Sequence, residues 1–184
     1  PDARMLDRTE AVELIENEFA RLGLVHYRDI YDPTKIISDL LAAISRAKDE
    51  VVFADEYERL AKEMQSSASE EERIAGDKAA EVARVYHAYE KLKRSAQAVD
   101  FGDLVSLPVR LLEGSQEITH ALRQVHQHVL VDEYQDVNRS SVRLLKALCG
   151  EGQNLWVVGD AKQSMYRFRG ASSVSMDQFN THDF

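Results

Sequence analysis

We predict a mainly α-helical chain with a small α/β part, and three features of the sequence lead to this class. Apolar residues recur at helical spacing over three long stretches: 12–22, 37–47 and 82–92. Two short apolar runs, 129–131 and 155–158, are typical of buried strands, and a helical pattern at 140–149 separates them. The order strand, helix, strand predicts a right-handed crossover between two parallel strands.

The bulk composition is that of an ordinary globular chain. It has 184 residues, of which 44% are hydrophobic and 30% charged, and its apolar runs are too short to predict a membrane span or a signal peptide. The single cysteine, Cys149, excludes an internal disulfide and suits the cytoplasm. The net charge is −9, but residues 129–184 contain six basic and seven acidic residues, so most of the negative charge lies earlier. Contact with DNA would therefore have to be local.

The first half of the chain predicts a helical bundle. Residues 1–8 are expected to form a flexible lead-in, followed by helices that end in a long one over residues 71–97. Its residues Tyr86 and Tyr89 lie beside valines at helical spacing, which favours core packing over a base-stacking platform. Lys48 ends an earlier helix, where a solvated position is favoured over contact with DNA.

Two expectations concern the segment that follows the long helix. Asp100 is placed to cap a new helix. The negative charge of Asp103 would be stabilised by the positive N-terminal end of the same helix. Pro108 cannot donate a backbone hydrogen bond, so the sequence predicts a kink or a restart there. His126 and His128 have no third ligand nearby in the sequence, which disfavours a zinc site.

Acidic residues follow both predicted strands directly. Asp132 and Glu133 come after the first strand, and Gly159 and Asp160 come after the second. The ends of parallel strands meet at one edge of a sheet, where such sheets bind their ligands. Adjacent carboxylates at that edge suit a nucleotide site, because one can hold Mg²⁺ and its neighbour can orient a water for attack on phosphate.

Two segments around these acids resemble motifs of a known family. DEYQD at 132–136 and GDAKQSMYRFRGA at 159–171 resemble motifs II and III of superfamily 1 helicases of the UvrD/Rep type. The RFRGA ending is closer to the AddA or RecB-like helicase subunits of bacterial recombination nucleases. DFGDL at 100–104 resembles the family element that returns the chain from the 1B subdomain to the 1A core. The resemblance implies a helical 1B-like subdomain over 1–97 and a partial RecA-like 1A ATPase core over 98–184.

The same resemblance implies roles for individual residues. Asp132 would be the Mg²⁺-side carboxylate, Glu133 would activate the hydrolytic water, and Gln163 would sense the γ-phosphate of ATP. The positions implied to connect the nucleotide with the DNA are Gln135, Asp136 and Arg169. Those implied to contact single-stranded DNA are Tyr166, Arg167 and Phe168, the aromatic rings by stacking on bases. Aromatic residues near a sheet edge are core residues more often than not, but the surrounding motif favours stacking here.

The chain contains no GxxxxGK[ST] phosphate loop, the element on which triphosphate binding in this class mainly rests. We therefore expect a fragment of a longer protein that is inactive alone, with a phosphate loop in the residues that precede it. The whole protein is expected to use Mg²⁺ and ATP to move 3′ to 5′ along single-stranded DNA and separate duplex DNA, in repair or recombination in the bacterial cytoplasm. Nuclease or repair subunits are its candidate protein partners.

Two alternatives stay open at this point. The chain could instead be a non-catalytic module that binds DNA or a protein partner. The strip of Arg139, Arg143 and Lys146 could lie on phosphates, although an ordinary solvated face is favoured.

Without the phosphate-loop strand, the second predicted strand would also have an unpaired edge, which predicts self-association through residues 154–159.

Overall fold

The computed structural model of the chain describes residues 3–27 and 32–160. In chain order, the elements in these ranges are β1 Arg4–Met5, α1 Arg8–Phe19, a 3₁₀ turn Ala20–Leu22, α2 Pro33–Asp49, α3 Ala54–Gln65, α4 Glu70–Ser95, β2 Ala98–Val99, α5 Asp103–Gly114, α6 Gln116–Val125, β3 Val129–Val131, a 3₁₀ turn Tyr134–Asp136, α7 Arg139–Cys149 and β4 Leu155–Val157. The described residues are mostly helical, as the sequence predicted, and they contain two small sheets.

Both sheets have two strands, and both are parallel. β3 pairs with β4 in the register Val129 to Leu155, and α7 provides the crossover that the sequence predicted. β1 pairs with β2, with Arg4 opposite Ala98. This second pairing makes the expectation of a flexible lead-in wrong for residues 4 and 5, since two-residue strands leave almost no period to recognise in the sequence.

The chain divides into two compact units. The first contains the residues up to Ala47 together with Val52–Phe101, and the second contains Lys48–Val51 together with the residues from Gly102 onward. Within the described residues, no helix is both long enough and apolar enough to cross a membrane.

The first unit has a core built from helices α1 to α4. The residues at its centre are almost completely buried: Ile15, Ile37, Leu40, Ile44, Val85 and Tyr86. The hydroxyl of Tyr86 donates a hydrogen bond to the carbonyl of Val52 at 3.2 Å, so the ring can be buried without leaving its polar atom unsatisfied. Tyr89 is only 2% exposed, and the prediction that both tyrosines belong to the core is confirmed.

A buried carboxylate fixes one loop of this unit. Glu81 is only 3% exposed, and its oxygens accept hydrogen bonds from the backbone N–H groups of Val25, His26 and Tyr27 at 2.8–3.2 Å. Burial by itself would raise the pKa of this carboxyl, but the three backbone donors together outweigh burial and hold the pKa below its usual range. The charged side chain thus orders the segment that follows α1.

Gly76 allows α3 and α4 to approach closely. A Cβ at this position would lie 2.6 Å from the backbone nitrogen of Gln65 and 2.9 Å from the backbone carbon of Met64. We expect Gly76→Ala to destabilise the protein by about 1–3 kcal/mol, because the end of α3 must move and the loss exceeds the helix propensity gained. Gly114→Ala is the matched control, since nothing lies within 4 Å of its added methyl. Urea denaturation of both variants measures the difference, and an equal response would contradict a close approach at Gly76.

The second unit contains helices α5 to α7 and the β3–β4 sheet. Its buried apolar residues include Val109, Leu112, Tyr134, Val142 and Leu145. α5 runs unbroken through Pro108, so the predicted restart is wrong. The N-cap residue of α5 is Gly102 rather than Asp100, and the carboxylate of Asp100 accepts a hydrogen bond from Nζ of Lys93 at 3.0 Å.

The expectation of fully buried strands is also wrong. Leu130 on β3 and its partner Trp156 on β4 are 78% and 66% exposed, so one face of this sheet is open within the described part of the chain. The neighbouring residues Val129, Val131 and Val157 are half-buried. The apolar runs predict a sheet that is covered on both faces, and the described residues cover only one of them.

Lys48 and Asp103 form a buried ion pair in the second unit. Nζ of Lys48 lies 2.6 Å from Oδ1 of Asp103, and the two side chains are 1% and 4% exposed. Both sequence readings of Lys48, a solvated helix end and a DNA contact, are therefore wrong. The sequence shows a basic residue at a helix end, but it does not show that the acidic partner 55 residues later meets it inside the fold.

Candidate active site

The two acid-bearing strand ends lie side by side, as the crossover pattern predicted. Backbone pairing continues past β3 and β4: N–H of Val158 donates to the carbonyl of Val131 at 2.8 Å, and N–H of Tyr134 donates to the carbonyl of Val158 at 3.0 Å. These bonds hold Asp132 and Glu133 next to the segment that leads to Asp160. The side chains of all three acidic residues are exposed, so they are accessible to a ligand.

A tight turn follows β3 and reverses the chain. Glu133 adopts the left-handed conformation with φ 52° and ψ 43°, and the 3₁₀ turn begins with Tyr134, which is fully buried. The carboxylate of Asp132 accepts a hydrogen bond from N–H of Glu133 at 2.9 Å. A non-glycine residue in this region is strained by about 1–3 kcal/mol and persists where the surrounding structure fixes it. The turn is therefore held by its anchors rather than by local preference.

Gln135 joins the two strand ends through its side chain. It is 2% exposed, its Nε2 donates to Oε2 of Glu133 at 2.5 Å, and its Oε1 accepts from N–H of Asp160 at 2.9 Å. Both ends of the amide are thus engaged, one by the acidic turn and the other by the start of the segment after β4. The sequence identified Gln135 as a connecting position but could not name its partners, and these are the partners within the described residues.

The acidic pair has the donor atoms that Mg²⁺ prefers. Magnesium binds carboxylate oxygens and commonly keeps several of its waters, which requires ligands that solvent can reach. Asp132 uses Oδ1 in the bond to Glu133, which leaves Oδ2 for a ligand. Glu133 uses Oε2 in the bond from Gln135, which leaves Oε1 for a proton. The residues present therefore fit a magnesium nucleotide site, with one carboxylate for the metal and one for a water.

Asn138 is a connecting residue that the sequence reasoning missed. Its side-chain oxygen accepts hydrogen bonds from N–H of Ser141 and from the hydroxyls of Ser140 and Ser141, and it forms the N-cap of α7. Its Nδ2 donates to Oδ1 of Asp49 at 2.8 Å. An asparagine directly before a helical pattern is a recognisable cap signal, but nothing in the sequence points to Asp49 as its partner.

Of the residues considered for contact with DNA that follow the acidic turn, only the basic strip on α7 lies within the described ranges. Gln163, Tyr166, Arg167, Phe168 and Arg169 lie outside the ranges that the structure describes. On the basic strip of α7, Arg143 donates to both carboxylate oxygens of Glu113, which raises the pKa of the arginine. Nε of Arg139 lies 3.6 Å from the carboxylate of Glu50. The strip is thus partly neutralised by acidic neighbours, and Arg143 is neither simply solvated nor available for phosphate.

An apolar cavity of about 760 Å³ lies elsewhere in the second unit. Leucines from several elements line it: Leu107, Leu111, Leu122, Leu130, Leu144 and Leu148. Neither Asp132 nor Glu133 lines this cavity, so it is separate from the acidic turn.

Comparison with known proteins decides the family. A family model described as the UvrD/REP helicase N-terminal domain matches residues 4–183. The chain belongs to the UvrD/Rep helicase family. The resemblance seen in DEYQD and in residues 159–171 is therefore confirmed.

Curated relatives in this family are bacterial DNA helicases. The chain is 38% identical over 147 residues to ATP-dependent DNA helicase UvrD1 of Mycobacterium tuberculosis, covering 76% of this chain and 18% of the relative. It is 32% identical over 176 residues to ATP-dependent DNA helicase PcrA of Bacillus subtilis, covering 95% of this chain and 21% of the relative. PcrA of Staphylococcus aureus is 31% identical over 174 residues, covering 91% of this chain and 24% of the relative. The chain thus spans less than a quarter of the length of these UvrD/Rep helicases.

Proposed function

We propose that this chain is part of a longer ATP-dependent translocase that moves 3′ to 5′ along single-stranded DNA, separates duplexes, and acts in DNA repair or recombination. The observation that carries the proposal is the turn at 132–136, where two exposed carboxylates end a strand and a buried amide ties them to the next strand end. Membership of the UvrD/Rep family supports the same function. As the relatives are bacterial DNA helicases, we place the protein in the bacterial cytoplasm, where the chromosome lies.

The roles of the acidic residues follow from their remaining hydrogen-bonding capacity. Asp132 would hold Mg²⁺, and the ion would balance charge on the phosphates of ATP. Oε1 of Glu133 would accept a proton from the attacking water, since its other oxygen is occupied by Gln135. The Gln135 amide would keep the carboxylate oriented, because rotating the carboxylate away would break its partly buried hydrogen bond to Gln135.

We assign residues 1–97 to a 1B-like helical subdomain and 98–184 to part of the 1A motor core. Gln163 would then contact the γ-phosphate, Asp136 and Arg169 would connect the nucleotide with the DNA, and Tyr166, Arg167 and Phe168 would contact single-stranded DNA. The open sheet face at Leu130 and Trp156 supports self-association of the isolated chain through residues 154–159. Among the described residues β4 pairs only with β3, and an exposed apolar patch beside such a strand edge favours pairing with another copy.

The proposal is tested by comparing this chain with the full-length protein. We expect this chain alone to show no ATP turnover and to bind Mg-ATP in the millimolar range or more weakly by calorimetry, because two carboxylates offer little to a triphosphate. The full-length protein should hydrolyse ATP faster when single-stranded DNA is added, and it should displace strands from duplexes with a 3′ tail but not from those with a 5′ tail.

Two results would contradict the proposal. Micromolar binding of Mg-ATP by this chain would mean that other residues hold the triphosphate. DNA binding by the full-length protein without any ATP turnover would favour the alternative, a non-catalytic binding module.

A further inference from the structure

The end of α2 contacts the beginning of α7 through a short chain of polar groups in the second unit. Oδ1 of Asp49 accepts the hydrogen bond from Nδ2 of Asn138 at 2.8 Å, between residues that are 89 positions apart in the sequence. The oxygen of the same Asn138 amide binds the first turn of α7, with N–H of Ser141 at 3.0 Å. One side chain therefore connects α2 with α7, and removing either contact would free it to rotate.

Asn138 stands immediately after the acidic turn. N–H of Asp136 donates to the carbonyl of Glu133 at 2.9 Å, and N–H of Val137 donates to the carbonyl of Tyr134 at 3.1 Å. The turn thus ends one residue before the amide that Asp49 holds. Since Glu133 adopts a left-handed conformation that its side chain disfavours, the turn depends on fixed points at both ends. The β3–β4 pairing fixes its beginning, and Asn138 fixes its end.

The segment that carries Asp49 is itself firmly anchored. On one side of Asp49, Lys48 is held in the buried ion pair with Asp103. On the other side, the carbonyl of Glu50 accepts a hydrogen bond from Arg143 at 3.5 Å. Val51 is 8% exposed and has φ 58°, an unfavourable conformation for a β-branched residue. Asp49 therefore lies in a segment that is held by contacts on both sides.

We propose that Asp49 is a positioning residue for ATP hydrolysis, which holds the turn carrying Glu133 in its reactive geometry through the side chain of Asn138. The inference rests on the proposed function, because it needs Glu133 to be the group that accepts the proton from water. In this role Asp49 would contact neither the nucleotide nor the metal. Its effect is on the rate of hydrolysis, since a small displacement of a catalytic group lowers the rate more than it weakens binding.

The first measurement uses this chain without nucleotide. In Asp49→Ala, hydrogen exchange at the amides of Asp136 and Val137 should become roughly five- to tenfold faster, because one of the fixed points of the turn is lost. Asp39→Ala is the matched control, an exposed acidic residue on the same helix, and it should leave these amides unchanged. Equal exchange in Asp49→Ala and wild type would overturn the proposal.

The second measurement uses ATP turnover by the full-length protein. Asp49→Ala should lower kcat roughly tenfold and leave the KM for ATP within about twofold, whereas Asp49→Asn, which keeps an oxygen acceptor, should stay near wild type. Asn138→Asp keeps the cap on α7 but places two carboxylates together, and it should be as slow as Asp49→Ala. The double variant Asp49→Asn with Asn138→Asp restores a donor and an acceptor in reversed order, so it should recover both kcat and slow exchange.

The outcomes separate this inference from the proposed function. If the wild-type full-length protein does not hydrolyse ATP, the proposed function fails. If it does and Asp49→Ala has a normal kcat, or if the reversed pair stays as slow as Asn138→Asp, the positioning role of Asp49 fails while the proposed function stands.

Discussion

Replacing Glu133 with glutamine should lower ATP turnover by about two to four orders of magnitude, because removing a general base costs about that much. Glutamine keeps the size of the side chain, and its amide oxygen can still accept the hydrogen bond from Gln135. It is also no worse than glutamate at φ 52°, so the turn should keep its shape. Nucleotide affinity should therefore be retained while hydrolysis is lost. Single-turnover hydrolysis and fluorescent-nucleotide binding in the full-length protein measure the two effects separately.

Two comparisons make the Glu133→Gln result specific. Glu151→Gln removes the same charge from an exposed residue in the loop between α7 and β4, and it should hydrolyse ATP normally. Asp132→Asn should instead raise the Mg²⁺ concentration needed for activity, because that carboxylate is assigned to the metal. Near-normal turnover by Glu133→Gln would mean that another residue activates the water, and the assignment of DEYQD would have to be abandoned.

Replacing Lys48 with methionine should destabilise this chain by about 3–5 kcal/mol, because it removes the buried ammonium group from its ion pair with the carboxylate of Asp103. A loss of that size is a large share of the 5–15 kcal/mol that typically stabilises a domain. Urea denaturation followed by circular dichroism should show a lower midpoint with an unchanged slope. Added salt should change the effect little, since the pair is shielded from solvent.

A double variant distinguishes an ion pair from a simple packing defect. Lys48→Met together with Asp103→Leu removes both charges, so it should be more stable than Lys48→Met alone. Arg21→Met removes a cation from an ion pair whose arginine is 77% exposed, and it should leave the midpoint almost unchanged. If Lys48→Met behaved like Arg21→Met, the Lys48–Asp103 contact would contribute nothing to folding.

The sequence predicted the elements whose pattern is long or whose motif is specific. The stripe Ile37, Leu40 and Ile44 on α2 repeats at helical spacing and is buried as expected. The parallel pairing of β3 and β4 was predictable because the two apolar runs flank a helical pattern, a sequence order that almost always gives a right-handed crossover. The acidic site follows from the same reasoning, because its residues are next to the strands in the sequence.

The remaining features depend on contacts that are distant in the sequence. The sequence around Lys48 predicts a surface residue, because its buried partner Asp103 lies far away in the sequence. The sequence around Asn138 predicts only a helix cap, because it does not show that the same side chain also binds Asp49. Pro108 stays inside α5 although its missing N–H leaves one helical hydrogen bond unmade, so tertiary packing overrides local preference there. No pattern within a short window contains that information.

The left-handed backbone at Glu133 lowers the stability of the turn at the position where the general base is proposed to lie. Glycine reaches φ near 52° without steric penalty, and asparagine does so more readily than glutamate. A copy of this gene released from selection for hydrolysis would gain stability by drifting to either residue. Under the proposed role of Glu133, glycine or asparagine at this position would be the expected signature of a degenerate, non-hydrolysing descendant.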